Sequence, residues 1–559
     1  MSISTSADLT ASSEASLTQD LLQATHLSLW EAFRRSAQRW PDRPAVAMGG
    51  EEWTYWELHD RSLRAAAALT SLGITRGTRV AFLINSCPEW PVLHYALARI
   101  GAVGVPVNLV YEHAEVHFVL ERAHPEVLIA MDTFRGVDYV ARLAAADPDL
   151  HHGSTSVESL PSIRHVLVVP LDEQERPQAD DPATRAVFGT PDGPTLDPAS
   201  VVEPTDPAYV IFTSGSTADP KAALCSHRAL VGAGLGMARA LEIGPDDRFL
   251  AVLPPFHVGG IANCLTASHS AGACIVLMGA FDAGRALAII KQERCTATVG
   301  FDTMFTKMMA VPSFAKVDAA TLTKAALGAT PAYLHRLCRD WGLQIAAGMY
   351  ASTESGGLLS IAWPWIDDLT AKRESNGRPM PGVEVLIRDP ESGELCPPGE
   401  PGEICFRGWN RILEYCDDVE ATSAAIDRDG YFHSGDYGFV DGHGNLYYRG
   451  RYKMMIKTGG ENVSEREVEM FLENEIEPIE LAQVVGVPDA TWGEAVVAFV
   501  QLSDDVSSDE LRDMARGKIA KFKIPKRFYR LEADEFPTLA NGRPDKQALR
   551  ALGLERRRT

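Results

Sequence analysis

The 559-residue sequence holds no uninterrupted apolar run near the roughly 18 residues that a membrane-spanning helix needs, so no membrane span is predicted. Its opening, MSISTSADLTASSEASLTQD, lacks the basic start and apolar stretch of a secretory leader. Cysteine is scarce and unpatterned: nine residues, an odd number with no C-x-x-C pair, which points to reduced thiols in a cytoplasmic protein. Positive charge is in deficit, with 53 Lys+Arg against 75 Asp+Glu and a formal net charge of −22. That balance argues against nonspecific binding to nucleic acid or anionic membranes, so any polyanion site must gather its cations locally. No internal repeat, no heptad run and no G-x-x-x-x-G-K-[ST] phosphate loop occurs.

What is present is an ordinary globular composition, 45% hydrophobic and 23% charged, in a chain too long for one core. The Ser/Thr-rich first 27 residues read as a disordered tail. From Ser28 helical patterns alternate with short apolar runs such as 79–84 and 126–130, which is the pattern of an α/β domain. An Asp/Pro-rich stretch, 172–207, reads as a surface excursion. After residue 376 Gly/Pro turns separate short β runs, giving a β-rich subdomain over about 376–449. The remainder, 450–559, has the size and alternation of a small α+β domain. The prediction is therefore an α/β fold: a large N-terminal domain, 28–449, followed by a small C-terminal domain.

The richest segment is FTSGSTADPK, 212–221, in which hydroxyl residues and a glycine lie between a β run and Lys221. Such a loop suits a polyphosphate, because backbone N–H groups and hydroxyls donate to its oxygens and lysine adds a point charge. Four further islands follow: LPPFHVGG at 253–260, MYASTESGG at 349–357, HSGDYG at 433–438 and GRYKMMIKTGGENVSEREVE at 450–469. Together, over about residues 27–552, they resemble the AMP-forming, adenylate-forming family of acyl-CoA synthetases, nonribosomal-peptide adenylation domains and luciferases.

The resemblance implies ATP and Mg²⁺ as cofactors, and a reaction in which an acid attacks the α-phosphate, releases pyrophosphate and passes to a nucleophile, by default CoA. It implies that Thr213, Ser214, Ser216, Thr217 and Lys221 grip the β- and γ-phosphates. Tyr350 would stack on adenine, Thr353 would meet the α-phosphate and Glu354 would hold Mg²⁺. Asp436 would accept the ribose hydroxyls and Arg451 would contact the ribose. His257 would line or gate the acyl pocket. Lys453 would sit at a hinge, 449–453, about which the small, mobile domain rotates, bringing Gly459 and Gly460 to a second site.

Three departures from the family pattern bear on function. Ala218 and Ala222 replace two glycines of the phosphate loop, and alanine at a position needing φ > 0 costs roughly 1 kcal/mol. Ala351 stands where glycine is usual. Arg543, in FPTLANGRPDK, occupies the position of the family's catalytic lysine, with Lys546 three residues on as an alternative. Arginine is planar and bidentate, so the exchange is not conservative. It opens a second reading, a nitrite-activating diazotase acting on an aromatic amine in secondary metabolism, for which Asp302 in the pocket would bind the amino group. Otherwise Asp302 reads as a helix N-cap. A third reading is a nucleotide-binding protein that has lost adenylation. His113, Glu115 and His117 fall at helical spacing but are read as a surface helix, and the terminal ERRRT as a solvated tail.

Overall fold

The computed structural model describes residues 15–16, 18–189, 201–213, 220–312, 314, 319–364, 374–451, 455–458, 461–489, 491–539 and 542–558. Ser214, Ser216, Thr217, Ala218, Lys453, Gly459 and Gly460 lie outside them.

The predicted α/β class is the observed one. The large domain holds a nine-stranded sheet, whose central strands Pro44–Met48, Cys274–Val276, Arg248–Leu250, Ala297–Phe301, Lys324–Gly328 and Ile345–Tyr350 run parallel. A six-stranded sheet stands beside it, parallel except where Lys221–Ser226 pairs with Pro207–Thr213. Its strand Val127–Met131 is buried at every residue, as a parallel strand covered on both faces requires. Alternate residues serve the two faces: Val127 and Ile129 join one core cluster, Leu128 and Ala130 another. The helix Glu89–Ile100 is buried at all positions but Arg99, the signature of a helix enclosed on every side.

The four strands Val383–Arg388, Gly402–Gly408, Phe432–Val440 and Leu446–Arg451 form an antiparallel sheet within the β-rich stretch. The small domain pairs Ile479–Asp489 with Gly493–Leu502 and packs the helix Glu465–Glu475 against them. Residues 538–539 and 542–544 pair as the two arms of a hairpin that reaches back to the large domain. There Lys307 Nζ donates to Thr538 Oγ1 (3.1 Å) and Thr303 Oγ1 donates to the Gly542 carbonyl, both from the helix Asp302–Met309. Gly542 is required at this contact, because its φ is +82° and a Cβ would meet Met304 Cε at 2.2 Å.

Four expectations are corrected. The tail reading runs too far: Leu21 is wholly buried and Asp20 pairs with Arg239 (3.0 Å), so the chain already packs on the large domain before residue 28. The stretch 172–207 contains the helix Pro182–Phe188, capped by Asp181, with Ala183, Thr184 and Val187 buried. The terminal arginines belong to the helix Lys546–Arg558, where Arg557 pairs with Asp489 (3.0 Å). Ala222 causes no strain, because it lies in an extended strand opposite Phe212, and Ala351 is not among the described residues with positive φ. The helix His113–Ala123 is a surface helix as predicted. Glu115 caps its start and His117 meets Ser159 Oγ at 3.2 Å.

Candidate active site

The two strands flanking the hydroxyl-rich segment set Thr213 opposite Lys221. The other edge of the Lys221 strand is paired by residues 413–416: Leu413 N donates to Leu224 O, Leu224 N to Glu414 O, and Cys416 N to Ala222 O, at 2.7–2.9 Å. This pairing carries the Tyr415 ring beneath Lys221, whose Nζ lies 4.8 Å from the ring centroid, a cation–π contact. The Tyr415 hydroxyl donates to Glu354 Oε1 (3.1 Å), and Ile412 N donates to the Glu354 carbonyl (2.9 Å). Residues 412–416 thus tie Lys221 to Glu354, two groups 133 positions apart in sequence. Burial, followed by the Glu354 charge, pushes the Tyr415 phenol well above its ordinary range, so it stays a donor.

Glu354 and Thr353 lie just beyond the carboxyl end of the parallel strand Ile345–Tyr350, the edge where open α/β sheets bind ligands. The turn there is held by reciprocal bonds: Ser352 N donates to Ser355 Oγ (3.0 Å) and Ser355 N to Ser352 Oγ (3.1 Å). Gly356 (φ +62°) then turns the chain back, its N–H donating to the Thr353 carbonyl (3.0 Å). Both Thr353 and Glu354 are half-buried.

Asp436 is brought in by the third sheet. Cys405 pairs with His433 and Glu403 with Tyr437, so residues 434–436 bulge out of the ladder between them. Asp436 sits on this bulge directly opposite Arg451, whose Nε donates to Oδ1 (3.1 Å), while the Tyr350 hydroxyl donates to Oδ2. Burial raises the Asp436 carboxyl above its ordinary value, and the Arg451 charge opposes that rise. Tyr448 packs against Tyr350 with ring centroids 5.4 Å apart.

Arg543 stands at the end of the docked hairpin and is exposed, and its charge acts on His257, Asp436 and Tyr448. Burial, then Arg543, lowers the His257 imidazole to about 4, so it is neutral at pH 7. Lys546 faces elsewhere. It binds Glu469, the Val484 carbonyl (2.9 Å) and Glu465 (3.8 Å) within its own domain. Asp302 is buried in the domain contact at the first position of its helix, with Phe301 as the N-cap residue, so the N-cap reading is corrected. Its Oδ1 accepts from Thr303 N (2.7 Å), and the charges acting on it are those of Arg466, Glu469 and Lys546. Burial lifts it to about 6, and the neighbouring Glu473 to about 7.

Lys221 and Glu354 are thus linked through Tyr415, and Tyr350 and Arg451 through Asp436; Glu354 acts electrically on Arg451, and Arg543 on Asp436 and His257. With Thr213 opposite Lys221 and Thr353 next to Glu354, they mark one candidate cleft, while Asp302 belongs to the domain contact. Sequence reading missed Tyr415 and Tyr448. Tyr415 lies in no island, and only the pairing of residues 413–416 onto the Lys221 strand gives it a place. Tyr448 had a signal, being three residues before Arg451 in the same apolar-aromatic run.

The sequence profile of the AMP-binding enzyme family matches residues 33–416, and that of the AMP-binding enzyme C-terminal domain matches 467–543. The chain is 34% identical over 533 residues to the "3-[(3aS,4S,7aS)-7a-methyl-1,5-dioxo-octahydro-1H-inden-4-yl]propanoyl:CoA ligase" of Mycobacterium tuberculosis, covering 93% of this chain and 98% of that one. It is 33% identical over 537 residues to the indoleacetate–CoA ligase of Aromatoleum aromaticum, covering 94% and 98%. Among solved structures, ATP-bound MatB from Rhodopseudomonas palustris superposes with a TM-score of 0.77 at 25% identity, covering 94% of this chain and 99% of that one.

Proposed function

The chain belongs to the AMP-binding enzyme family and is an AMP-forming ligase of the acyl-CoA synthetase type, and from that premise we propose that it makes CoA thioesters of ring-bearing carboxylic acids. The first half-reaction joins the carboxylate oxygen to the α-phosphorus and expels pyrophosphate. In the second, the CoA sulfur attacks the acyl carbon, AMP leaves and the thiol proton is released. The observation that carries this reading is the convergence of Lys221, Tyr415 and Glu354 with the Tyr350–Asp436–Arg451 group on one cleft that Arg543 also faces.

A carboxylate approaching a triphosphate meets like charge, so cations must neutralise both partners. Lys221 is suited to the terminal phosphates, since its ammonium is held over the Tyr415 ring. Asp436 can exchange its Tyr350 and Arg451 donors for ribose hydroxyls, leaving Tyr350 to pack its ring on adenine. Thr353 would donate to the α-phosphate. Glu354 fits Mg²⁺: it is a hard, half-exposed oxygen donor already oriented by Tyr415. Bound Mg²⁺ would offset triphosphate charge there. Arg543 would bridge the substrate carboxylate and the α-phosphate, because Lys546 is committed to Glu469 and Glu465. Neutral His257 would border the acyl group.

Ser214, Ser216 and Thr217 would complete the phosphate loop, and rotation about Lys453 would separate the two half-reactions. The nine cysteines are all free, which favours the cytoplasm. Among the described residues no helix is long and apolar enough to cross a membrane.

The relatives' names are those of carboxylate:CoA ligases, and they favour this reading over nitrite activation. Pyrophosphate release should be measured with aryl and alicyclic acids, with fatty acids, and with nitrite plus an aryl amine, each with and without CoA. CoA-dependent AMP formation with a ring-bearing acid is expected. Release with nitrite alone would overturn the proposal in favour of the diazotase, and release with nothing would favour the binding-only protein.

A further inference from the structure

We propose that Glu403, Cys405 and His433 form a binding site for a zinc-like divalent cation, separate from the nucleotide cleft and independent of the acyl-CoA reading. The three meet because of strand geometry. Glu403 and Cys405 are two apart on the strand Gly402–Gly408 and so share a face, and His433 is the cross-strand partner of Cys405. Their donor atoms all lie within 4.8 Å of one another.

The separations are those of a coordination shell. Tetrahedral zinc with Zn–S near 2.3 Å and Zn–N or Zn–O near 2.1 Å sets its donors about 3.3–3.6 Å apart. Here Cys405 Sγ and His433 Nδ1 are 3.5 Å apart, His433 Nδ1 and Glu403 Oε2 are 2.9 Å apart, and Cys405 Sγ and Glu403 Oε2 are 3.9 Å apart. Each edge is within about 0.6 Å of that shell.

The supporting groups divide their atoms between backbone and site. Glu403 Oε1 accepts from Gly435 N (2.9 Å), leaving Oε2 to the cluster. Asp427 Oδ1 accepts from Asp429 N and Tyr431 N (both 2.9 Å), leaving Oδ2 3.4 Å from His433 Nε2. A carboxylate on the far nitrogen of a ligating imidazole fixes its tautomer and ring plane. Thiolate and carboxylate together would cancel the charge of a divalent ion. Cys405 is fully buried, so a bound ion would be shielded from solvent on that side. Through Glu403 the ion would brace the 434–436 bulge that carries Asp436.

Chelator-treated, full-length enzyme should take up one equivalent of Co²⁺ with thiolate-to-cobalt charge-transfer absorption, and Zn²⁺ should displace it. Cys405→Ser and His433→Gln should each abolish that band, and Asp427→Asn should weaken binding roughly tenfold or more. Zinc-edge X-ray absorption on the wild type, which needs no variant to fold, should find one sulfur and the rest nitrogen or oxygen. Absence of stoichiometric uptake, an unchanged band in Cys405→Ser, or a shell with no sulfur or several would each overturn the assignment.

Discussion

Asp436 reaches the cleft from a strand bulge pinned by Glu403 and Ser434, whereas Arg543 reaches it from a hairpin that only docks on the helix Asp302–Met309. The large-domain wall, with Lys221, Glu354, Tyr350, Asp436 and Arg451, is fixed by sheet register and by hydrogen bonds among its own members. The opposing wall depends on a contact that includes the buried carboxyl of Asp302 and the half-buried one of Glu473, both raised by desolvation. One wall is preorganised and the other is conditional. The proposed two-step ligation would use that division, holding the nucleotide while the acceptor side is rebuilt.

The largest expected effect lies on the fixed wall. Glu354→Gln should leave the fold intact and lower pyrophosphate release by more than roughly 10²-fold, because it removes the charge proposed to hold Mg²⁺ and keeps the side-chain shape. Turnover near wild type would remove Glu354 from any metal role.

Asp436→Ala comes next. It removes the acceptor of both Tyr350 and Arg451 as well as that proposed for the ribose. The apparent affinity for ATP should fall about ten- to a hundredfold, corresponding to roughly 1–3 kcal/mol for unpaired buried donors. An unchanged KM for ATP would place the ribose elsewhere.

On the conditional wall, Arg543→Ala should slow adenylation roughly tenfold while leaving ATP binding nearly intact, as expected for a charge brought by docking. Arg543→Lys should keep most activity on a carboxylate, because the charge at that position is retained. Full activity of Arg543→Ala would mean that the wall contributes nothing to the first step.

The smallest effect concerns the contact itself. Asp302 rises from 3.8 to about 6 on folding, so between those values the folded chain holds more protons than the unfolded one. Stability from this residue is therefore lost as pH rises through that window, by up to about 3 kcal/mol. Asp302→Asn keeps the acceptor for Thr303 N and removes the charge. It should raise the melting temperature at pH 8 by a few degrees and change nothing below pH 4. A variant less stable than wild type at pH 8 would show that pairing with Arg466 and Lys546 outweighs desolvation.

Much of the fold was legible because strands such as Val127–Met131 and Pro207–Thr213 are local apolar runs between turns. The helix Pro182–Phe188 was not, since its Asp/Pro-rich flanks are also the marks of a loop, and only contact with the large-domain core buries Val187. Asp302 was misread for a related reason. Its sequence neighbours suit a pocket or a cap, but its electrical neighbours come from residues 466–546.

The sequence by itself determined the chemistry available: a hydroxyl-rich segment ending in Lys221, carboxylates at Glu354 and Asp436, and two cations, Arg543 and Lys546, near the C-terminus. These are properties of residue type and short spacing, which survive without a fold. The tertiary structure alone decided which cations serve the cleft. Arg543 and Lys546 differ by three positions and carry the same charge, yet one faces His257 and Asp436 while the other is consumed by Glu465 and Glu469. Charge falls off with distance and is cancelled by a buried partner, and only the docked hairpin sets those distances.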